Sequence, residues 1–158
     1  MPDTSTLNYV AGQTVANSTI AALSGAGELC VWTYAETDIL VDITGWLSPS
    51  GASRLTPIGP TRVVDTRSGM GGVRVVAGQT LTVDLNGAVP AGSNAVAVNV
   101  TAVNAADPGF LTVFPCSGAI PNTSTVNFVG NEARPNNTIV GLSGGRICIF
   151  SDAATDVL

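Results

Sequence analysis

Apolar residues alternate with small or polar ones over several short stretches of this chain, the period of a half-buried β-strand. Residues 80–85 place Leu81, Val83 and Leu85 on one face, and residues 95–103 align Val96, Val98 and Val100 with small or polar residues opposite. Residues 124–129 bring Val126 and Phe128 together, and residues 146–150 alternate around Ile147 and Ile149. Turn chemistry separates these runs, at residues 68–72, Asn86-Gly87, residues 89–92, Asp107-Pro108-Gly109 and Ser143-Gly144-Gly145. The pattern predicts an all-β fold, an antiparallel β-sandwich of seven to eight strands spaced by about ten residues.

The pattern is partly present twice. Residues 2–25 reappear at 121–144, with about half of the positions identical. After a one-residue deletion, Leu29-Cys30-Val31-Trp32 matches Ile147-Cys148-Ile149-Phe150, and Thr37-Asp38-Ile39-Leu40 matches Thr155-Asp156-Val157-Leu158. The first copy runs on through Val41-Asp42-Ile43-Thr44-Gly45-Trp46-Leu47. The copies keep apolar character at Leu7/Val126, Tyr9/Phe128, Ile39/Val157 and Trp32/Phe150, which marks those positions as core. Gln13/Glu132 and Val15/Arg134 vary freely, which marks them as loop. A unit of about 118 residues is expected, divided as the C-terminal half of one repeat at 1–47, a linker at 48–60, and a nearly complete unit at 61–158 lacking its last strand. On this reading residues around Val41, Ile43 and Trp46 form a strand that one subunit lends to the next.

Three cysteines make an odd count. Cys30 and Cys148 are repeat equivalents. The simplest scheme pairs Cys116 with Cys148 and leaves Cys30 without a partner. Cys30 with Cys116 is the competing bridge, and three buried thiols are the alternative to either.

Composition narrows the function. With 45% hydrophobic and 11% charged residues, the chain can bury a core and presents a weakly charged surface. A net charge of −5 without a basic run argues against nucleic acid and anionic membranes as partners. No apolar run approaches the roughly 20 residues of a membrane span, and the start does not have the form of a signal peptide. Histidine and lysine are both missing, which removes Ser-His-Asp, Cys-His and Ser-Lys mechanisms and the usual zinc sets. No cofactor or metal is expected, and the glycines at 69–72 lack the Lys and Ser/Thr of a phosphate loop.

Carboxylates are the remaining catalytic candidates. Asp38 and Asp42 fall on one expected strand face, and Asp156 repeats Asp38; a glycosidase needs such a pair facing across a groove. Aspartates at strand edges and turns more often satisfy backbone amides. Asp65 and Arg67, two apart on an expected first strand, read as a structural ion pair. Trp32, Trp46, Tyr9 and Tyr34 offer rings for sugar stacking, although Trp32 and Tyr9 are replaced by Phe in the other copy, as core residues are.

Together, residues 61–69 (TRVVDTRSG), Val89-Pro90-Ala91-Gly92 before residues 95–101 (AVAVNVT), residues 126–129 (VNFV) with Pro135-Asn136, and residues 37–46 (TDILVDITGW) resemble the β-rich tandem repeats of secreted and surface proteins of actinobacteria and related soil bacteria. The resemblance implies an extracellular module beside other domains and brings no catalytic residues with it. The expectation is therefore a structural repeat of a stalk, fibre or surface layer, whose partners are copies of itself. A carbohydrate- or surface-binding module, with surface polysaccharide as partner, is the alternative.

Overall fold

In the computed structural model, which describes residues 5–48, 51 and 54–158, the alternating runs pair into strands. In chain order these are β1 (Gln79–Asp84), β2 (Ala95–Val103), β3 (Gly109–Pro115), β4 (Val126–Phe128), β5 (Arg134–Gly141), β6 (Arg146–Ser151) and β7 (Asp156–Val157). They form two antiparallel sheets, one in the order β1-β6-β3-β4 and the other β5-β2-β7. The fold is an all-β antiparallel sandwich.

Period two decides which residues meet between the sheets. From the first sheet Val83, Leu111, Val126, Phe128, Ile147 and Ile149 are buried, and from the second Val100, Ala102, Val140 and Val157. The register matches like with like: Val83 lies opposite Ile147, and Val113 opposite Ile149. Phe150 departs from expectation. It pairs with Thr80 and Thr112 on the outer face, half-buried against Phe110 at 6.1 Å between ring centroids, rather than in the core.

That outer face is itself partly roofed. Thr112 and Phe114 point away from the core yet are buried. The segment after β3 folds back over them: Thr112 Oγ1 donates to Thr123 O, the Thr125 hydroxyl accepts from Val113 N at 3.0 Å, and Thr125 N donates to Leu111 O at 2.7 Å. A disulfide between Cys116 and Cys148 staples this return to the centre of β6, with Cα atoms 5.1 Å apart. Cys30 is a free, exposed thiol.

Residues 61–78, expected to open with a strand, instead form a strap along the free side of β7. Val75 and Thr155 exchange both backbone hydrogen bonds, at 3.0 and 3.1 Å. Thr66 N donates to Val157 O, and Val157 N donates back to the Thr66 hydroxyl. The strap turns sharply where Asp65 bridges Met70, through glycines at 69–72. Gly71 has φ +69°, and a Cβ there would lie 2.5 Å from Val63 O, so only glycine fits both the torsion and the space.

The first copy of the repeat does not fold like the second. Residues 5–48 contain no strand. Tyr9, Trp32 and Ile39, expected to be core, are exposed, as are Val41, Ile43 and Trp46 of the expected inter-subunit strand. Asp38 and Asp42 therefore share no strand face. The cause is a shortage of partners. Val126 to Val157 make their strands by pairing with β1, β2 and β3, and one such set exists among the described residues. Local ties remain, such as the Tyr9 hydroxyl donating to Ala35 O at 3.1 Å. Ser18 N donates to the Asn136 side chain on β5 at 3.2 Å. Arg134, expected in a loop, opens β5. Of the expected linker, residues 49, 50, 52 and 53 lie outside the described residues, as do residues 1–4 at the start of the repeat.

The bridge closes a loop of 32 residues in sequence separation. In the chain-entropy model such a closure contributes about 3–4 kcal/mol. Reduction, or Cys148→Ser, is expected to lower unfolding free energy by about that amount in urea titrations, whereas Cys30→Ser leaves the midpoint unchanged.

Candidate functional site

The densest polar cluster surrounds Asp156, the residue the repeat shares with Asp38. β2 on one side and the strap on the other hold β7 between them, so the Asp156 side chain is only 10% exposed. A carboxylate so placed needs donors. Thr66 Oγ1 donates to Oδ1 at 2.8 Å, while Arg74 Nη1 and Asn104 Nδ2 donate to Oδ2 at 2.9 and 3.1 Å. Arg74 spends its other terminal nitrogen on Asn104 O and Ala154 O, at 2.9 and 3.2 Å. Asn104 sits at φ 57°, a left-handed torsion that asparagine tolerates, just after β2 ends.

Burial pushes the Asp156 carboxyl upward, but the donors from Asn104 and Thr66 and the Arg74 guanidinium outweigh it and hold the group below its ordinary value of 3.8. The carboxylate stays ionised with its oxygens engaged. This is the chemistry of a clasp: it ties the strap, the end of β2 and β7 into one unit.

Asp65 and Arg67 form a second ion pair, in the turn of the strap and not on a strand. Arg67 Nε and Nη2 donate in parallel to the two carboxylate oxygens at 2.8 and 2.7 Å, and Arg67 N donates to Oδ1 at 3.2 Å. These hydrogen bonds from Arg67 lower the Asp65 carboxyl below 3.8. The geometry places Asp65 and Arg67 outward and Thr66 between them inward, so the Asp-Thr-Arg triplet braces the turn on one side and grips β7 on the other.

Neither Asp38 nor Asp42 lies in this cluster; among the described residues the side-chain partners of Asp156 are Thr66, Arg74 and Asn104, not a second carboxylate. Among the described residues no group of three or more His, Cys, Asp or Glu side chains is placed to hold a metal ion. A depression of about 300 Å³ lined by residues 89–93, Asn86, Leu142, Gly144 and Gly145 contains no titratable side chain. Trp32 and Tyr34 meet edge to face, 6.3 Å between centroids, and are exposed; Trp46 is exposed as well. Arg74, Asn104 and Thr66 were not legible as a set. The one available signal was Arg74 itself, a lone cation within the apolar run Val73-Arg74-Val75-Val76.

Asp156→Asn is expected to cost about 2–3 kcal/mol, because Arg74 loses its counter-charge in a partly buried site. The folded-state value of Asp156 lies below the unfolded one, so its contribution is full above about pH 4 and fades as pH falls further, through the folded value. Urea midpoints measured across acid pH are expected to drop steeply for the unaltered chain and less so for Asp156→Asn, with the lowered Asp65 supplying part of the remaining slope.

No family model, curated protein or solved structure matches this chain.

Proposed function

We propose that this chain is a non-catalytic structural repeat of a secreted, surface-associated bacterial protein, building a stalk, fibre or surface layer through head-to-tail association of copies. The observation that carries the reading is where the shared residues sit. Val126, Phe128, Ile147, Cys148, Ile149, Thr155, Asp156 and Val157 in the second copy are all buried, and they form core, staple and clasp. The first copy repeats the same types at Leu7, Tyr9, Leu29, Cys30, Val31, Thr37, Asp38 and Ile39. What has been duplicated is a way of holding a sandwich together, as in an array of stacked modules. The resemblance to actinobacterial surface repeats points the same way.

The disulfide fits an oxidising compartment, where such bonds persist. Among the described residues no helix is long and apolar enough to cross a membrane. Self-association follows from the exposed apolar residues of the first copy, including Ile20, Leu23, Leu40, Ile43 and Trp46, which are unusually many for one segment. The exposed rings of Trp32, Tyr34 and Trp46 favour a second reading, adhesion to surface polysaccharide through ring stacking.

Sedimentation velocity and electron microscopy of the purified chain separate these readings. Structural assembly predicts sedimentation coefficients that rise with concentration and extended particles on grids. A clean monomer at every concentration contradicts it. Adhesion predicts retention on insoluble polysaccharides that Trp46→Ala and Trp32→Ala reduce at least several-fold, a loss of ring contacts worth about 1 kcal/mol or more each.

A further inference from the structure

We propose that the Asn136 side chain is a joint between consecutive repeats, the point at which the half-repeat of residues 5–48 docks on the sandwich that follows it. The proposal deepens the structural-repeat reading and rests on it. β4 ends the first sheet and β5 ends the second. Asn136 on β5 points inward beside these two edge strands and is 5% exposed. An amide so buried needs partners at both of its ends. Its Nδ2 donates to Thr125 O, just ahead of β4, at 2.6 Å, which ties the two sheets together along this side. Its Oδ1 accepts from the backbone N–H of Ser18 at 3.2 Å, a group 118 residues away in the chain. One end of the amide serves the sandwich, and the other receives the half-repeat before it.

The burial of the first copy singles out the same contact. Within residues 5–48 only Gln13, Val15 and Ala16 are not exposed, and they lie directly before Ser18. More apolar residues of that copy, Ile20, Leu23, Leu40 and Trp46 among them, face solvent. Contact with the rest of the molecule is therefore concentrated where Ser18 meets Asn136.

The parts of the joint also recur in the repeat. Asn17 is the equivalent of Asn136, and Thr6 of Thr125. Asn17 Nδ2 donates to Thr6 O as Asn136 Nδ2 donates to Thr125 O, so the clamp forms in both copies although only one has strands around it. Ser18 is the equivalent of Asn137. Leu142 N bonds to Asn94 O, and the bonded positions of β5 alternate from there through Val140, Thr138 and Asn136. The backbone groups of Asn137 thus face away from β2. Each copy carries an Asn side chain as acceptor and, one residue on, a backbone N–H that its own sheet does not use. A backbone donor is indifferent to its side chain, which suits Ser18 in one copy and Asn137 in the other. Such a contact fixes how neighbouring modules sit, where a flexible linker alone leaves them free.

Amide exchange and 15N relaxation of the full chain test the joint. The Ser18 N–H is expected to exchange about tenfold or more slowly than those of Ala21 and Leu29, each relative to its intrinsic rate. Asn136→Ala removes the acceptor and is expected to bring Ser18 to their level, with protection at Ile147 and Ile149 as the check of folding. Should that variant fail to fold, Ser18→Pro deletes the donor and leaves the sandwich untouched. The heteronuclear NOEs of residues 13–17 are then expected to fall to those of residues 20–24. A Ser18 amide as fast as Ala21 in the unaltered chain, protection that survives Asn136→Ala, or residues 13–17 that keep their order in Ser18→Pro would each overturn the proposal. Sedimentation separates the joint from the reading beneath it. Copies that assemble while Ser18 is unprotected remove the joint and keep the structural repeat. A protected Ser18 in a chain that stays monomeric keeps the contact between half-repeats and removes only the assembly of separate copies.

Discussion

A β-strand is stable only when its backbone groups and its apolar face both find partners, and this chain holds more strand-forming sequence than partners for it. Residues 124–158 and residues 5–40 carry the same pattern of core, cysteine and aspartate. Strands β1, β2 and β3 exist once among the described residues, and β4 to β7 occupy them. Everything else in the structure follows from that constraint. The second copy becomes half of a sandwich. The first forms no strand, with residues such as Tyr34 and Trp46 facing solvent although their composition suits an interior.

Two covalent or polar fixtures hold the occupied arrangement in place. The Cys116–Cys148 bond fastens the return after β3 to the middle of β6, so the first sheet and its outer cover behave as one piece. At the other end of the repeat, Asp156 gathers Thr66, Arg74 and Asn104 around one carboxylate and so locks the strap against β7. A partly buried ion pair of this kind is a weak source of net stability compared with packed hydrocarbon, but it is demanding about geometry. Its value here is positional: it fixes the strap and the end of β2 on either side of β7.

Alternation made β1, β2 and β4 legible, because each has one face more buried than the other, and β6 legible through Ile147 and Ile149 although Cys148 on its other face is buried too. β3 and β5 were harder for opposite reasons. In β3 the outer face is roofed by the returning segment, so Leu111, Thr112 and Phe114 are all buried and the alternation disappears. In β5 the pattern is inverted: Asn136 and Thr138 point inward while Ile139 faces out at 39%. Asn136 is tolerated inside because its amide donates to Thr125 O at 2.6 Å and its oxygen accepts from Ser18 N. The Asp65–Arg67 pair was legible from its spacing, although it braces a turn and not a strand. The Asp156 clasp was not, since its members come from four separate places in the chain and meet only when the strap folds back. Of the positions the two copies share, Val126, Phe128 and Val157 are core in the second, Phe150 lies on the outer face, and Leu7, Tyr9, Trp32 and Ile39 of the first are exposed, because sequence similarity is symmetric and occupancy of β1 to β3 is not.

Amide hydrogen exchange resolved to single residues reads the central claim directly, that two like sequences sit in two different states. The account predicts strong protection at Phe128, Val140, Ile147 and Ile149, with their equivalents Tyr9, Ala21, Leu29 and Val31 exchanging at close to the rates of an unpaired chain under dilute conditions. Comparable protection in both copies would contradict it, and would mean that the first copy finds strand partners of its own.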